Sequence, residues 1–210
     1  MANIFDLFKQ ISSNDSIKNT PIEYIVVGLG NPGAQYANTR HNAGFLSIDY
    51  IADKKGVKID RSKFKALTAV TEMAGKGVLL MKPQTFMNLS GEAVSEAARF
   101  YKLSSDKIIV ISDDVNLDVA RLRVRKSGSS GGQNGLNNII EHMGSDNFPR
   151  IRVGVGKKPH PDYDMKDWVL SVFTKEDTEK LAEAYPRVLS GIEKIVSGDI
   201  DGAMQICNCK

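Results

Sequence analysis

The 210-residue chain has only two cysteines, and both sit in the last four positions as Cys207 and Cys209. A C-x-C tail of this kind has neither the spacing partners of a zinc site nor the separated positions of a framework disulfide, so the thiols read as incidental and reduced. No apolar run approaches the roughly 18–20 residues that span a bilayer, and the N-terminus lacks the charged-then-apolar layout of a secretory signal. A cytoplasmic protein without a membrane partner is the expectation. Other signatures are missing too. There is no G-x-x-x-x-G-K-S/T loop, no dinucleotide fingerprint, no G-x-S-x-G elbow and no H-E-x-x-H or cysteine–histidine cluster. Those absences disfavour nucleoside-triphosphate, redox, covalent-serine and zinc chemistry, and they leave water as the attacking group in any hydrolysis.

The composition is that of an ordinary globular protein, with 41% hydrophobic and 25% charged residues, and the length suits one domain. The formal net charge of +3 is too mild to name a nucleic-acid partner from the total alone. Residues 1–22 open with the apolar positions Ile4, Phe5, Leu7, Phe8 and Ile11, then turn polar, and read as a weakly ordered extension ahead of a domain at 23–210.

From Tyr24 the pattern sharpens. Tyr24-Ile-Val-Val-Gly-Leu29 predicts a buried strand ended by the turn Gly30-Asn31-Pro32-Gly33. Residues 43–55 carry helical spacing and stop at Gly56, stretches 66–73 and 78–81 predict a β-hairpin, and 90–103 a further helix. Lys107-Ile-Ile-Val-Ile-Ser112 predicts a second buried strand with Asp113 and Asp114 at its C-terminal end, where ligands of α/β sheets collect. Arg121-Leu-Arg-Val-Arg125 alternates, which puts three arginines on one strand face. A loop at 128–132, a helix at 135–143, a strand at 151–155 and a long C-terminal helix at 175–196 complete a mixed sheet flanked by helices.

Of the three histidines, His41 stands out. It lies in or near a loop, and Asn31, Asn42, Asn88 and Asn134 fall around it in sequence or in adjacent loops. Histidine titrates near neutrality and can take a proton from water if a partner fixes its tautomer, and Asp113 is the best-placed carboxylate. Neutral amides can polarise a carbonyl or hold a water, yet the same asparagines serve equally as helix caps and turn residues; Asn88, just before Leu89-Ser90-Gly91-Glu92, suits a cap. Arg121, Arg123 and Arg125 with Lys126 form the densest basic cluster, fit either to contact phosphates or to be a solvated strand face.

Taken together, these segments resemble the bacterial peptidyl-tRNA hydrolases. The matching stretches are Val27-Gly-Leu-Gly-Asn-Pro-Gly33, Tyr36, Thr39-Arg-His-Asn-Ala-Gly-Phe45 and Lys82-Pro-Gln-Thr-Phe-Met-Asn-Leu-Ser-Gly91. Ser112-Asp-Asp114, Gly128-Ser-Ser-Gly-Gly-Gln-Asn-Gly-Leu136 and Phe148-Pro-Arg-Ile-Arg-Val-Gly-Val-Gly156 follow in the same order. The resemblance implies a single three-layer α/β domain with a twisted, mixed, mostly parallel sheet, acting as a monomer on peptidyl-tRNA without metal or cofactor. By position it makes His41 the catalytic base and Asp113 its orienting carboxylate. It puts Tyr36 among the substrate contacts and Asn31, Met87, Asn88 and Asn134 along the cleft, with Arg152, Arg123, Arg125 and Lys126 in the tRNA-binding region. Two positions depart: Gln133 stands where the family commonly has histidine, and Asn116 where a second aspartate often follows the catalytic one. Non-catalytic RNA-binding relatives such as chloroplast splicing factors, and nucleoside hydrolases or phosphorylases on a similar scaffold, are the rival expectations.

Overall fold

The structure, a computed structural model, describes residues 20–209. The expected N-terminal extension lies outside the described residues as far as position 19, and Ile22 already belongs to the first strand.

Among the described residues, seven strands make one sheet: β1 (Ile22–Gly28), β2 (Arg61–Lys63), β3 (Ala66–Met73), β4 (Lys76–Pro83), β5 (Ile108–Asp114), β6 (Leu122–Arg125) and β7 (Arg150–Gly154). Their order is β2-β3-β4-β1-β5-β7-β6. The central ladders β4–β1, β1–β5 and β5–β7 are parallel, and the outer ladders β2–β3, β3–β4 and β6–β7 are antiparallel. β1 is hydrophobic on both faces because helices cover both sides, as in any parallel core. Tyr24 and Val26 point to one layer and Ile25 and Val27 to the other.

The first layer holds α1 (Ala43–Lys54), α5 (Lys175–Ser197) and α6 (Ile200–Asn208), whose buried Ile48, Ile51, Val188, Ile192 and Cys207 pack on Val26, Ile109 and Ile151. The second holds α2 (Ser90–Tyr101) and α3 (Asn134–Met143), with Val94, Ala97, Leu136 and Ile139 against Ile25, Val110 and Phe148. A short helix, α4 (Met165–Leu170), precedes α5.

Several details depart from the sequence reading. The hairpin turn is tighter than the expected 74–77 loop: Ala74 and Gly75 both take positive φ, 49° and 75°, and residue 76 is already in β4. Two central residues with φ > 0 match the twist of the flanking strands. The long helix at 175–197 is not the last one. Gly198 ends it in the left-handed conformation and Asp199 caps α6 through the Gly202 amide, a Gly-then-Asp restart too short to stand out by periodicity. Arg121 falls before β6, in a turn closed by its own amide to the Asp118 carbonyl, so two arginines, not three, share the strand face.

The close seating of α1 on the sheet positions the site. An added Cβ at Gly28 would meet the Gly44 carbonyl oxygen at 2.2 Å, and one at Gly44 would meet the Leu29 amide at 2.4 Å and the Ile111 carbonyl oxygen at 2.5 Å. Only glycine at both positions lets the N-terminus of α1 lie directly on β1 and β5.

Candidate active site

The segment ahead of α1 is a 3-10 turn, Arg40–Asn42, and its anchor is Arg40. The Arg40 side chain is buried, stacks 3.9 Å from the centre of the Trp168 ring and donates to the Val155 carbonyl (2.8 Å), Ser171 Oγ (3.2 Å) and Asp177 Oδ2 (2.9 Å). Asp177 is also the N3 partner of the Thr174 capping box that opens α5. Burial would raise the Asp177 pKa, but the hydrogen bonds from Arg40 and Thr174 outweigh it and hold the carboxyl below its usual range. The turn carrying His41 is thus clamped to the far side of the cleft by a planar, fully charged group.

His41 Nδ1 lies 2.9 Å from Asp113 Oδ2. An ionised carboxylate only accepts, so Nδ1 carries the hydrogen and Nε2 of the neutral ring is free to take a proton. Burial disfavours the imidazolium and taken alone would lower the His41 pKa; the charge and hydrogen bond of Asp113 outweigh it, and the pKa sits above 6.5. The Asp113 side chain is 3% exposed and that of His41 14%, which leaves the imidazole open to the cleft and its partner closed off. The other Asp113 oxygen accepts from Gln133 Nε2 at 3.0 Å.

The asparagines order the opposite wall. Asn42 binds both backbone groups of Asn31, its Oδ1 accepting from the Asn31 amide at 2.7 Å and its Nδ2 donating to the Asn31 carbonyl at 3.0 Å. Asn31 Oδ1 then accepts from the Met87 amide at 2.9 Å. That bond fixes the orientation of the Asn31 amide and leaves its NH₂ as the donor it can offer a ligand. Asn88 does not cap α2: Leu89 occupies the N-cap position and no side chain caps the helix. Asn88 and Asn134 are exposed and line the cleft with Asn31, Tyr36, His41, Met87, Asp113 and Arg152, around a volume of about 690 Å³.

Four features of the cleft escaped the sequence reading. Gln133, singled out only as a departure, touches Asp113 directly. Phe86 takes φ 59° and ψ 162°, a region almost confined to glycine. The residue is 52% exposed and its ring lies on the rim, edge-on to Tyr36 at 6.4 Å and 89°. α4 supplies the remaining wall with Met165, Lys166, Val169 and Leu170. Asp114, buried beside Asp113, lies 3.1 Å from Arg152 Nε, an ion pair without hydrogen-bond alignment, while its Oδ1 accepts from the Asn116 amide at 2.9 Å. The family position filled here by Asn116 therefore lines the cleft and holds Asp114 through its backbone amide.

Arg123, Arg125 and Lys126 do not line the cleft; they are exposed on and just after β6. They are continuous with it all the same, because Arg123 pairs in register with Arg152 and Arg125 with Arg150. Directly opposed residues of an antiparallel ladder share a face, so the basic strip starts at the cleft and runs outward. Arg150 is the inner exception: it is buried and satisfied by the carbonyls of Gly128, Ser129, Asp146 and Phe148.

An α/β domain with an imidazole–carboxylate pair at the carboxyl end of its central parallel strands, opening into an amide-lined cleft, has the groups that general-base attack by water requires. The chain belongs to the peptidyl-tRNA hydrolase family, whose model matches residues 25–210. It is 49% identical to a peptidyl-tRNA hydrolase of Caldicellulosiruptor bescii over 187 residues, which covers 89% of this chain and 97% of that one. The crystal structure of peptidyl-tRNA hydrolase from Acinetobacter baumannii superposes with a TM-score of 0.83 at 32% identity, covering 90% of this chain and 96% of that one. A Schistosoma mansoni purine nucleoside phosphorylase matches with a TM-score of 0.50 at 10% identity, covering 93% of this chain and 97% of that one, a likeness of fold alone.

Proposed function

We propose that the chain hydrolyses the ester joining peptide to the tRNA ribose in peptidyl-tRNA, with His41 as general base and Asp113 holding it in the Nδ1–H tautomer. The observation that carries this reading is the 2.9 Å His41–Asp113 contact at the floor of an open cleft. Nε2 takes a proton from water as the oxygen attacks the ester carbonyl, and the imidazolium so formed is stabilised by the adjacent carboxylate before it returns the proton to the departing ribose oxygen. General-base action supplies roughly 10²–10⁴-fold, so the developing oxyanion needs donors as well. The Asn31 NH₂ suits that task because its carbonyl end is committed to Met87.

Around this centre the roles follow from placement. Tyr36 and Phe86 present aromatic surface on which a terminal base can stack, and Met87, Asn88 and Asn134 line the path of the peptide or terminal nucleotide. Arg152, then Arg123, Arg125 and Lys126, offer cations at increasing distance from the ester for the phosphates of the acceptor stem. The enzyme is expected to act as a monomer in the cytoplasm, where stalled translation makes its substrate.

Purified protein incubated with an N-acylated aminoacyl-tRNA tests the assignment. Release of free tRNA that collapses in His41→Ala with tRNA binding retained supports it. Binding without turnover in the unmodified chain would favour the RNA-binding rival instead.

A further inference from the structure

We propose that Gln133 is a positioning residue of the hydrolytic site: one end of its amide caps α3, and the other holds the second oxygen of Asp113 with a donor that does not titrate. The inference rests on the assignment of His41 and Asp113 as the working pair.

A carboxylate as deeply buried as Asp113 needs both oxygens satisfied. Oδ2 faces His41, and Oδ1 receives Gln133 Nε2 at 3.0 Å. The orientation of the Gln133 amide follows from its other end. Oε1 accepts from the Leu136 amide at 2.7 Å as the N-cap bond of α3, so the NH₂ must point the other way, toward Asp113 and Met87 Sδ. The reversed amide would set hydrogens against the Leu136 N–H and an oxygen against the carboxylate. Gln133 is only 8% exposed, so water does not compete for either contact.

Glutamine is not among the favoured N-cap residues, which are shorter. Length is what this position uses: a Ser, Asp or Asn cap would satisfy Leu136 and stop short of Asp113. An imidazole at 133 could perform both tasks in one neutral tautomer, accepting from Leu136 and donating to Asp113. On protonation it would lose the acceptor and release the cap. The amide performs both tasks at every pH, and the acid limb of kcat/KM is accordingly expected to follow a single ionisation, that of His41.

The test compares Q133E, Q133H and D113N with the unmodified enzyme by two readouts, the pH profile of kcat/KM on peptidyl-tRNA and the NMR titration of the His41 ring without substrate. Q133E keeps the length and the acceptor for Leu136 but turns the donor into a second carboxylate facing Asp113. Two carboxylates at that separation do not ionise together. A second ionisation should therefore enter the profile: while the two carboxyls share a proton the rate should stay near that of the parent, and once that proton is lost kcat should fall about 10- to 100-fold, the scale of a lost charge-assisted hydrogen bond. Q133H should recover most of the rate above the pKa of the new imidazole and lose it below, giving two acid ionisations where the parent has one. If Q133E folds poorly, Q133H carries the test alone. A Q133E enzyme with kcat within about twofold of the parent and an unchanged profile, or a Q133H profile with one ionisation, overturns the role of Gln133. D113N separates this from failure of the underlying assignment. A His41 titration unmoved in D113N removes the His41–Asp113 pair itself, whereas a moved one beside an inert Q133E removes Gln133 only.

Discussion

In the cleft the carboxylates are buried and each is held by neighbours: Asp113 lies between His41 and Gln133, and Asp114 beside Arg152 and the Asn116 amide. Along β6 the charges are exposed and unclamped, and Arg123, Arg125 and Lys126 reach into solvent from a strand whose inner face, Leu122 and Val124, is core. The cleft has spent its conformational freedom in folding and can act on a transition state without reorganising. The strip keeps its freedom and acts through a field that salt screens. The two regions should therefore fail differently when altered: the cleft in kcat and pH dependence, the strip in KM and salt dependence.

The largest separation is expected at the imidazole. His41→Ala should lower kcat by roughly 10²–10⁴ while leaving tRNA affinity within a few-fold. If affinity collapses with it, His41 belongs to the grip and the contrast between the regions breaks. Asp113→Asn should cost less in rate and move the profile. The base must be neutral, so kcat/KM in the parent falls as pH drops through a His41 pKa raised above 6.5. Removing the carboxylate charge leaves burial, which lowers that pKa, so the acid limb should shift to lower pH even as the plateau drops. An acid limb that stays in place in D113N would mean that another group titrates there.

The two regions also differed in how far they were legible beforehand. The strip was readable because alternation is a local property: Leu122-Arg123-Val124-Arg125 announces its two faces in four residues, and the structure displaces only Arg121. The sheet core was readable for the same reason, with apolar β-branched runs marking β1 and β5. The cleft is made of contacts between residues far apart in the chain. His41 and Asp113 are 72 positions apart, and Asn31 and Met87 are 56 apart. Local patterning nominated His41, Asp113 and the asparagines around them, Asn31 included, and only the resemblance to a family joined Met87 and Arg152 to them. Neither route exposed Gln133 as the second hold on Asp113 or Asn42 as the clamp on Asn31, because both look like turn or cap residues from within their own segments. β2, three residues long, and α4, six residues long, are too short to carry a period.

A smaller effect should mark the strip. Replacing Arg123 and Arg125 together with alanine should raise KM several-fold, with kcat falling much less. The slope of log(kcat/KM) against log salt should become shallower by up to about 2 if each arginine meets one phosphate. Lys126→Ala should move the slope by about 1 or less. An unchanged slope would show a solvated strand face with no part in the grip, leaving the cations that line the cleft, Arg152 and Lys166, to meet the substrate.

The smallest effect probes what holds the strip in place. β6 is an edge strand of the sheet, and its Val124 amide, which would otherwise lack a partner on the open side, donates to Asn208 Oδ1 at 2.6 Å. Asn208 Nδ2 returns a bond to the Val124 carbonyl at 3.3 Å. One side chain at the end of α6 thus imitates a neighbouring strand for a single residue and blunts an edge that could otherwise pair with another chain. Asn208→Ala removes two hydrogen bonds of about 1 kcal/mol each at most, one of them long, so a loss of about 1–2 kcal/mol is expected, read as a fall of a few degrees in Tm. The cleft does not depend on Asn208, so kcat should stay near its parent value. Because the change slackens the strand bearing Arg123 and Arg125, any functional loss should appear in KM alone and fade as salt rises. A loss in kcat instead would mean that the edge and the cleft are mechanically coupled through β7, the strand they share.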